Sequence, residues 1–335
     1  MKTVTARGTP VEIGRALGKA APLFFRWSCQ DAPPVPEEET QAFTRKCWAA
    51  TSSRYPAIAK EIEGIAQGAE VPLDRLFSLF CEELWDSEEK NPATGCTDIV
   101  VRGTASSTGT TLLGHTNDSG TSQVGPTIVR IVPSDGRPPS TGIGIDGYAP
   151  AVGRNDAGII LTGNQLTSSD MRPGVPRLIL ARAVLDQPTI ELAAGVCLDP
   201  HRASSYNNIL ADSNGTVIDL EGSATRTTVV PFQDDMLVHT NHYLMPSMTD
   251  LERKWDQAST QMRLEVATDL GQQLAPHTPD TIARILASHA GYPDCICRHD
   301  EDTRTFFATI YEAETGRLWL SDGPPCLQGW AFYGP

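Results

Sequence analysis

The order of apolar and polar positions changes character near residue 95. Before it, apolar residues recur at helical spacing. Ile13, Ala16, Leu17 and Ala20 share one face, and so do Ile58, Ile62, Ile65 and Ala66. Pro56 suits the first turn of a helix, and Pro72 opens another that carries Leu73, Leu76, Phe77 and Phe80. Ala32-Pro33-Pro34-Val35-Pro36 reads as a stiff connector, and an acidic stretch from Glu82 to Lys90 closes this part. After residue 95, short apolar runs are separated by Gly, Pro, Asn and Ser, as strands are by turns. Strands are predicted over 97–102, 110–116, 127–132, 158–163, 207–212, 215–220, 225–230, 304–312 and 316–321. Helices are predicted for Leu178 to Leu185, for Ile190 to Val196, and in a block over about 250–290. Strands, then helices, then strands imply a layered α+β chain rather than a βαβ repeat.

Composition narrows the function classes. The chain has 335 residues, 40% of them hydrophobic and 20% charged, enough for a sizeable core in one large domain or two. A net charge of −14 argues against a nucleic-acid or anionic-membrane surface, although a local basic pocket can still hold a small anion. Residues 1–8 carry no apolar signal-peptide core, and no run of apolar residues is long enough to span a bilayer. Eight cysteines are too sparse for a disulfide scaffold, so the expected setting is the cytoplasm, with reduced thiols.

Gly95-Cys96-Thr97 stands where the texture changes. A cysteine freed there from the preceding residues would carry a thiol and an α-amine together. The amine titrates near pH 8, so it can serve as a base for its own nucleophile. The plainer alternative is a buried, inert cysteine at the start of a strand. Other motifs are weaker. Gly142-Ile143-Gly144-Ile145-Asp146-Gly147 matches a dinucleotide loop by letter, but Pro150 interrupts the helix that should follow. His239 and His242, or Cys295, Cys297 and His299, offer metal-binding side chains without paired zinc spacings, so no metal site is assigned. The sequence has no Gly-x-Ser-x-Gly elbow and no P-loop.

Four further segments bear on Cys96. They are Gly114-His115-Thr116-Asn117-Asp118, Tyr206 to Asp212, Glu221 at the close of the next strand, and Cys295 to His299, and His239 to His242 belongs to the same ordered set of matches. With Gly8 to Gly14 and Asp322 to Cys326 they make the chain resemble, over nearly its whole length, the acyl-coenzyme A:isopenicillin N acyltransferase family of N-terminal nucleophile (Ntn) hydrolases. The resemblance implies a four-layer αββα Ntn sandwich that cleaves itself at Gly95–Cys96. Residues 1–95 would form the small subunit and 96–335 the large one, a heterodimer from one gene product. It implies Cys96 as nucleophile, Asp118 orienting its amino end, Asn207 donating to the oxyanion and Arg298 beside the nucleophile. Thr116-Asn117 departs from the family's usual Asn-Trp and puts acyl specificity in question. Glu221 reads as structural, and the two histidines as pocket-shaping.

The expected activity is cleavage or transfer of the acyl group of a small N-acyl amide or acyl thioester, through a thioester on Cys96. No cofactor is expected, although acyl-coenzyme A fits as a co-substrate. The partners expected are a small amide or amine, with no nucleic acid and no membrane. Two other readings stay open: an inactive Ntn-fold binding protein, and a metal-dependent amidase.

Overall fold

Neighbouring residues of one strand feed different hydrophobic layers in the computed structural model of this chain. It describes residues 1–21, 37–84, 95–120, 126–145, 150, 152–300 and 303–334. The Pro-rich connector 32–36, most of the acidic stretch, and residues 91–94 just before Gly95 lie outside the described residues.

In chain order the strands are β1 (Lys2–Gly8), β2 (Gly95–Val101), β3 (Leu112–Gly120), β4 (Pro126–Pro133), β5 (Ser140–Ile145), β6 (Val152–Asn155) and β7 (Ile160–Asn164). There follow β8 (Asn207–Ala211), β9 (Val217–Gly222), β10 (Thr227–Val229), β11 (Met236–His239), β12 (Thr303–Glu312), β13 (Arg317–Ser321) and β14 (Ala331–Tyr333). They build an eight-stranded sheet, β1-β4-β5-β6-β7-β8-β9-β10, and a six-stranded one, β11-β2-β3-β12-β13-β14. The pairings are antiparallel except β1 with β4, which is parallel.

The helices are α1 (Pro10–Ala20), α2 (Glu37–Arg54), α3 (Pro56–Ala69), α4 (Leu73–Phe80), α5 (Arg177–Val184), α6 (Ile190–Cys197), α7 (Ala258–Leu274), α8 (Pro279–Leu286) and α9 (Pro325–Gln328). A capping box starts α1: Thr9 Oγ1 accepts from Glu12 N, and the Glu12 carboxylate accepts from Thr9 N at 2.8 Å. Helices α1, α3, α5 and α6 pack on the outer face of the large sheet, through Val129, Ile131, Leu161 and Leu210. Helices α7 and α8 cover the other sheet, against Ile99, Val101 and Leu112. Between the sheets lies a third cluster with Val100, Leu113, Ile128, Ile209 and Phe307. The arrangement is a four-layer αββα sandwich. Because side chains alternate across a strand, Ile99-Val100-Val101 serves two layers, which is why it reads as an unbroken apolar run.

Most strands fall where the pattern predicts them. The structure adds β1, β5, β6, β11 and β14, and resolves the 250–290 block into a short turn of helix, α7 and α8. No helix among the described residues is long and apolar enough to cross a membrane.

Candidate active site

Cys96 is the second residue of β2, in register with Asn117 of β3, and Gly95 pairs with Asp118. Strand alternation sends Cys96 and Asn117 toward the gap between the sheets, and Thr97 and Asp118 toward α7. The Cys96 sulfur borders a cavity of about 200 Å³ whose walls include Ile143, Val152, Leu161, Leu178 and Phe307. Asn117, Gln165, Tyr206 and Asn207 supply polar groups to the same cavity, and Asp118 is part of its lining.

The main chain of Cys96 is held on both sides. Its N–H donates to Asn241 Oδ1 at 2.9 Å, and its carbonyl accepts from Arg263 Nη1 at 2.5 Å. Arg263 also donates to Thr97 Oγ1 at 3.1 Å and, through Nη2, to Asn241 Oδ1 at 2.9 Å. The side-chain amide of Asn241 donates to the Gln165 carbonyl at 3.1 Å, which fixes its orientation. Asn117 Nδ2 approaches the Cys96 sulfur at 3.6 Å. Burial pushes the thiol up to about 12, with the charges of Asp118 and Asp98 adding and Arg263 opposing. The sulfur is therefore protonated at neutral pH, and a nucleophilic role would need a base.

Asp118 Oδ1 accepts from Thr305 Oγ1 at 2.8 Å, whereas its Oδ2 is buried without a partner among the described residues. That oxygen faces Gly95: a Cβ at position 95 would lie 3.1 Å from it and 3.2 Å from Arg263 Nη2. Burial raises the carboxyl to about 6, against the pull of Arg263, Thr305 and Arg298.

Asn207 opens β8 on the inter-sheet side. Its Oδ1 accepts from Asn164 Nδ2 at 3.0 Å, and its Nδ2 donates to Asp219. One amide hydrogen then stays unclaimed by those two neighbours. Asp219 is raised to about 7 by burial, against His239 and Asn207. Nearby, His239 Nε2 meets Glu221 Oε1 at 2.9 Å, and Glu221 also accepts from the main chain at Leu244 and Met245. His239 uses its other nitrogen on the Thr240 carbonyl. Glu221 and His239 form a buried structural pair.

Arg298 stands farther back than the resemblance implies. Its guanidinium approaches Ser259 Oγ at 3.5 Å and Asp300 at 3.8 Å, and its main-chain N–H donates to Thr305 Oγ1. The guanidinium bonded to Cys96 is that of Arg263. Sequence reasoning passes over Arg263, Asn241 and Thr305. Arg263 does leave a trace, since it shares a stripe with Thr260, Ala267 and Gly271, an odd place for a charge.

Residues 107–325 match the family model described as "Acyl-coenzyme A:6-aminopenicillanic acid acyl-transferase". The chain belongs to that family. The 40 kDa form of acyl-coenzyme A:6-aminopenicillanic-acid-acyltransferase from Emericella nidulans is a relative of this acyl-transferase family member. It is 24% identical over 323 residues, covering 93% of this chain and 88% of its own. The beta-alanyl-dopamine/carcinine hydrolase of Drosophila melanogaster is 27% identical over 164 residues, 43% of this chain and 41% of its own. Among solved structures, penicillin V acylase from Agrobacterium tumefaciens is similar at a TM-score of 0.45 and 14% identity, over 71% of this chain and 86% of its own. A mutant conjugated bile acid hydrolase from Clostridium perfringens has a TM-score of 0.49 and 12% identity, over 71% and 92%. Where family members usually carry Asn-Trp, this acyl-transferase family member has Thr116-Asn117, and Asn117 forms the cavity wall beside the sulfur.

Proposed function

We propose that this chain cuts itself between Gly95 and Cys96, and that the resulting enzyme hydrolyses or transfers the acyl group of a small amide through a thioester on Cys96. The observation that carries the reading is the hold on Cys96. Asn241 and Arg263 fix its nitrogen and carbonyl, and its sulfur stays open to the cavity.

In the first stage the thiol attacks the Gly95 carbonyl, and the thiol proton passes to the departing Cys96 nitrogen. Water then hydrolyses the thioester, leaving a carboxylate on Gly95 and a free thiol and α-amine on Cys96. The new amine keeps Asn241 Oδ1 as one partner and gains Asp118 Oδ2 as a second. In the second stage the amine takes the thiol proton, and the sulfur attacks the substrate carbonyl. The remaining N–H of Asn207 is the donor for the oxyanion, a contribution usually worth about 3–4 kcal/mol of barrier. The amine gives its proton to the leaving nitrogen, and water or an incoming amine releases the acyl group. Arg263 clamps the nucleophile, while Arg298 acts one layer out, as a charge on Asp118 and through Thr305. The compact, largely apolar cavity suits a short apolar acyl group, and an acyl-coenzyme A donor remains compatible with the chemistry.

Intact-mass analysis of the purified protein tests the reading. Two chains meeting at Gly95 and Cys96 are expected, with a Cys96→Ala variant remaining one chain and losing amidase and acyltransferase activity. A wild-type protein that stays uncut and resists thiol alkylation overturns it.

A further inference from the structure

Away from Cys96, three side chains from distant parts of the sequence converge at the surface. His299, in the segment leading to β12, brings its Nε2 to 3.1 Å from Nε2 of His289, the two rings edge-on at 88°. Cys326, on α9, completes the group, and the three ligand atoms all lie within 4.8 Å of one another. We propose that His289, His299 and Cys326 bind a zinc-class divalent metal.

The geometry fits such an ion. Two imidazole nitrogens on one tetrahedral zinc, each about 2.0–2.1 Å from it, stand about 3.3 Å apart. A nitrogen and a thiolate sulfur bonded about 2.3 Å from the metal stand about 3.6 Å apart. The histidine pair already has nearly that separation, and a small rotation of the exposed Cys326 side chain brings the sulfur in. Imidazole with thiolate favours a borderline-soft ion over magnesium or calcium. All three residues are exposed, so the ion enters from solvent.

The ion would tie α9 to the segment that carries Arg298. That segment is anchored elsewhere by Cys297 N donating to the Ser288 carbonyl at 3.0 Å, and it runs on to Thr305, the anchor of Asp118. Its role would be a staple behind the active site. The Cys-x-Cys-x-His string shows only part of the set, because His289 and Cys326 join it through the fold.

The test uses the full-length protein with reduced thiols, loaded separately with zinc and with cobalt(II) and desalted. Stoichiometric retention by mass spectrometry, a thiolate-to-cobalt charge-transfer band and a rise in Tm with zinc are expected. His289→Ala and Cys326→Ser should each weaken affinity by at least about 100-fold, the upper end of what losing an outer-shell partner costs. Cys326→Ser should also abolish the charge-transfer band. Retention of neither metal by the wild type, or a cobalt spectrum that survives Cys326→Ser, overturns the site.

Discussion

The two oxygens of Asp118 have different fates, and the difference is a prediction about pH. Oδ1 is satisfied by Thr305, while Oδ2 is buried, aimed at Gly95 and unpartnered among the described residues. Leaving a buried acceptor without a donor costs about 1–3 kcal/mol, and the amine that the proposed cut would release is a donor for that oxygen. With its pKa near 6, the carboxyl is neutral below that pH and cannot hold the new ammonium. On the proposed mechanism, activity on an amide substrate should fall as the pH drops, through protonation of the Cys96 amine and then of Asp118, as a plot of kcat/KM against pH would show. Asp118→Asn should lose the part of that limb that belongs to the carboxyl and lower kcat/KM, because the amine base keeps its proton-transfer role but loses a positioning partner. The linkage to stability has the opposite sense. The folded chain binds this proton more tightly than the unfolded chain, so Asp118 lowers stability as pH rises from 3.8 to about 6, and the variant should be spared that loss. At this scale the sequence was partly legible. Cys96, Asp118 and Asn207 sit at strand ends within motif strings, where side chains reach a cavity rim. Arg263 and Asn241 were hidden for physical reasons. Arg263 lies inside a helix whose packing face only the fold reveals, and Asn241 sits between two histidines with more conspicuous chemistry.

Among the elements, the closest approach is that of α1 and α3, which meet glycine to backbone. A Cβ on Gly14 would fall 1.8 Å from the Glu61 carbonyl oxygen, and one on Gly64 would fall 2.3 Å from that of Val11. Gly14→Ala must push the helices apart, with a cost at or above the ~1–3 kcal/mol typical of overpacking. Gly195→Ala in α6 has open space around the new methyl and removes a helix-interior glycine, so it should be neutral or stabilising by up to about 1 kcal/mol. Thermal unfolding of the two variants beside the wild type checks both. The same contact logic explains which strands the sequence concealed. Gly142 in β5 would strike Pro150 with a Cβ, and Gly153 in β6 would meet the Thr141 carbonyl at 2.6 Å. Glycine there permits close packing, yet in the sequence it resembles a turn. The strands that could be read, such as β2, β8 and β12, carry unbroken apolar runs because both their faces are buried.

On the scale of the whole molecule, the described residues of the first 84 are woven into the rest. β1 is an edge strand of the eight-stranded sheet, paired with β4. Glu61 of α3 receives both Nε and Nη2 of the fully buried Arg182 of α5, at 3.1 and 2.9 Å, and Arg182 also donates to Asp186. Arg54 and Tyr55 both bond Asp199, and Glu83 accepts from Ser204 Oγ and from the main-chain N–H of Arg177. The two proposed products should therefore co-elute in native gel filtration and separate only in denaturant. A small fragment that leaves under native conditions would count against the subunit boundary. This interweaving also bears on lifetime. The uncut chain finds its contacts as a single molecule, in a first-order reaction independent of concentration. Once severed at Gly95, the same contacts can be regained from the denatured state only by an encounter between two chains, and dilution slows that encounter. An active molecule that unfolds would then be effectively lost, so its persistence would depend on how slowly it opens rather than on how well it refolds.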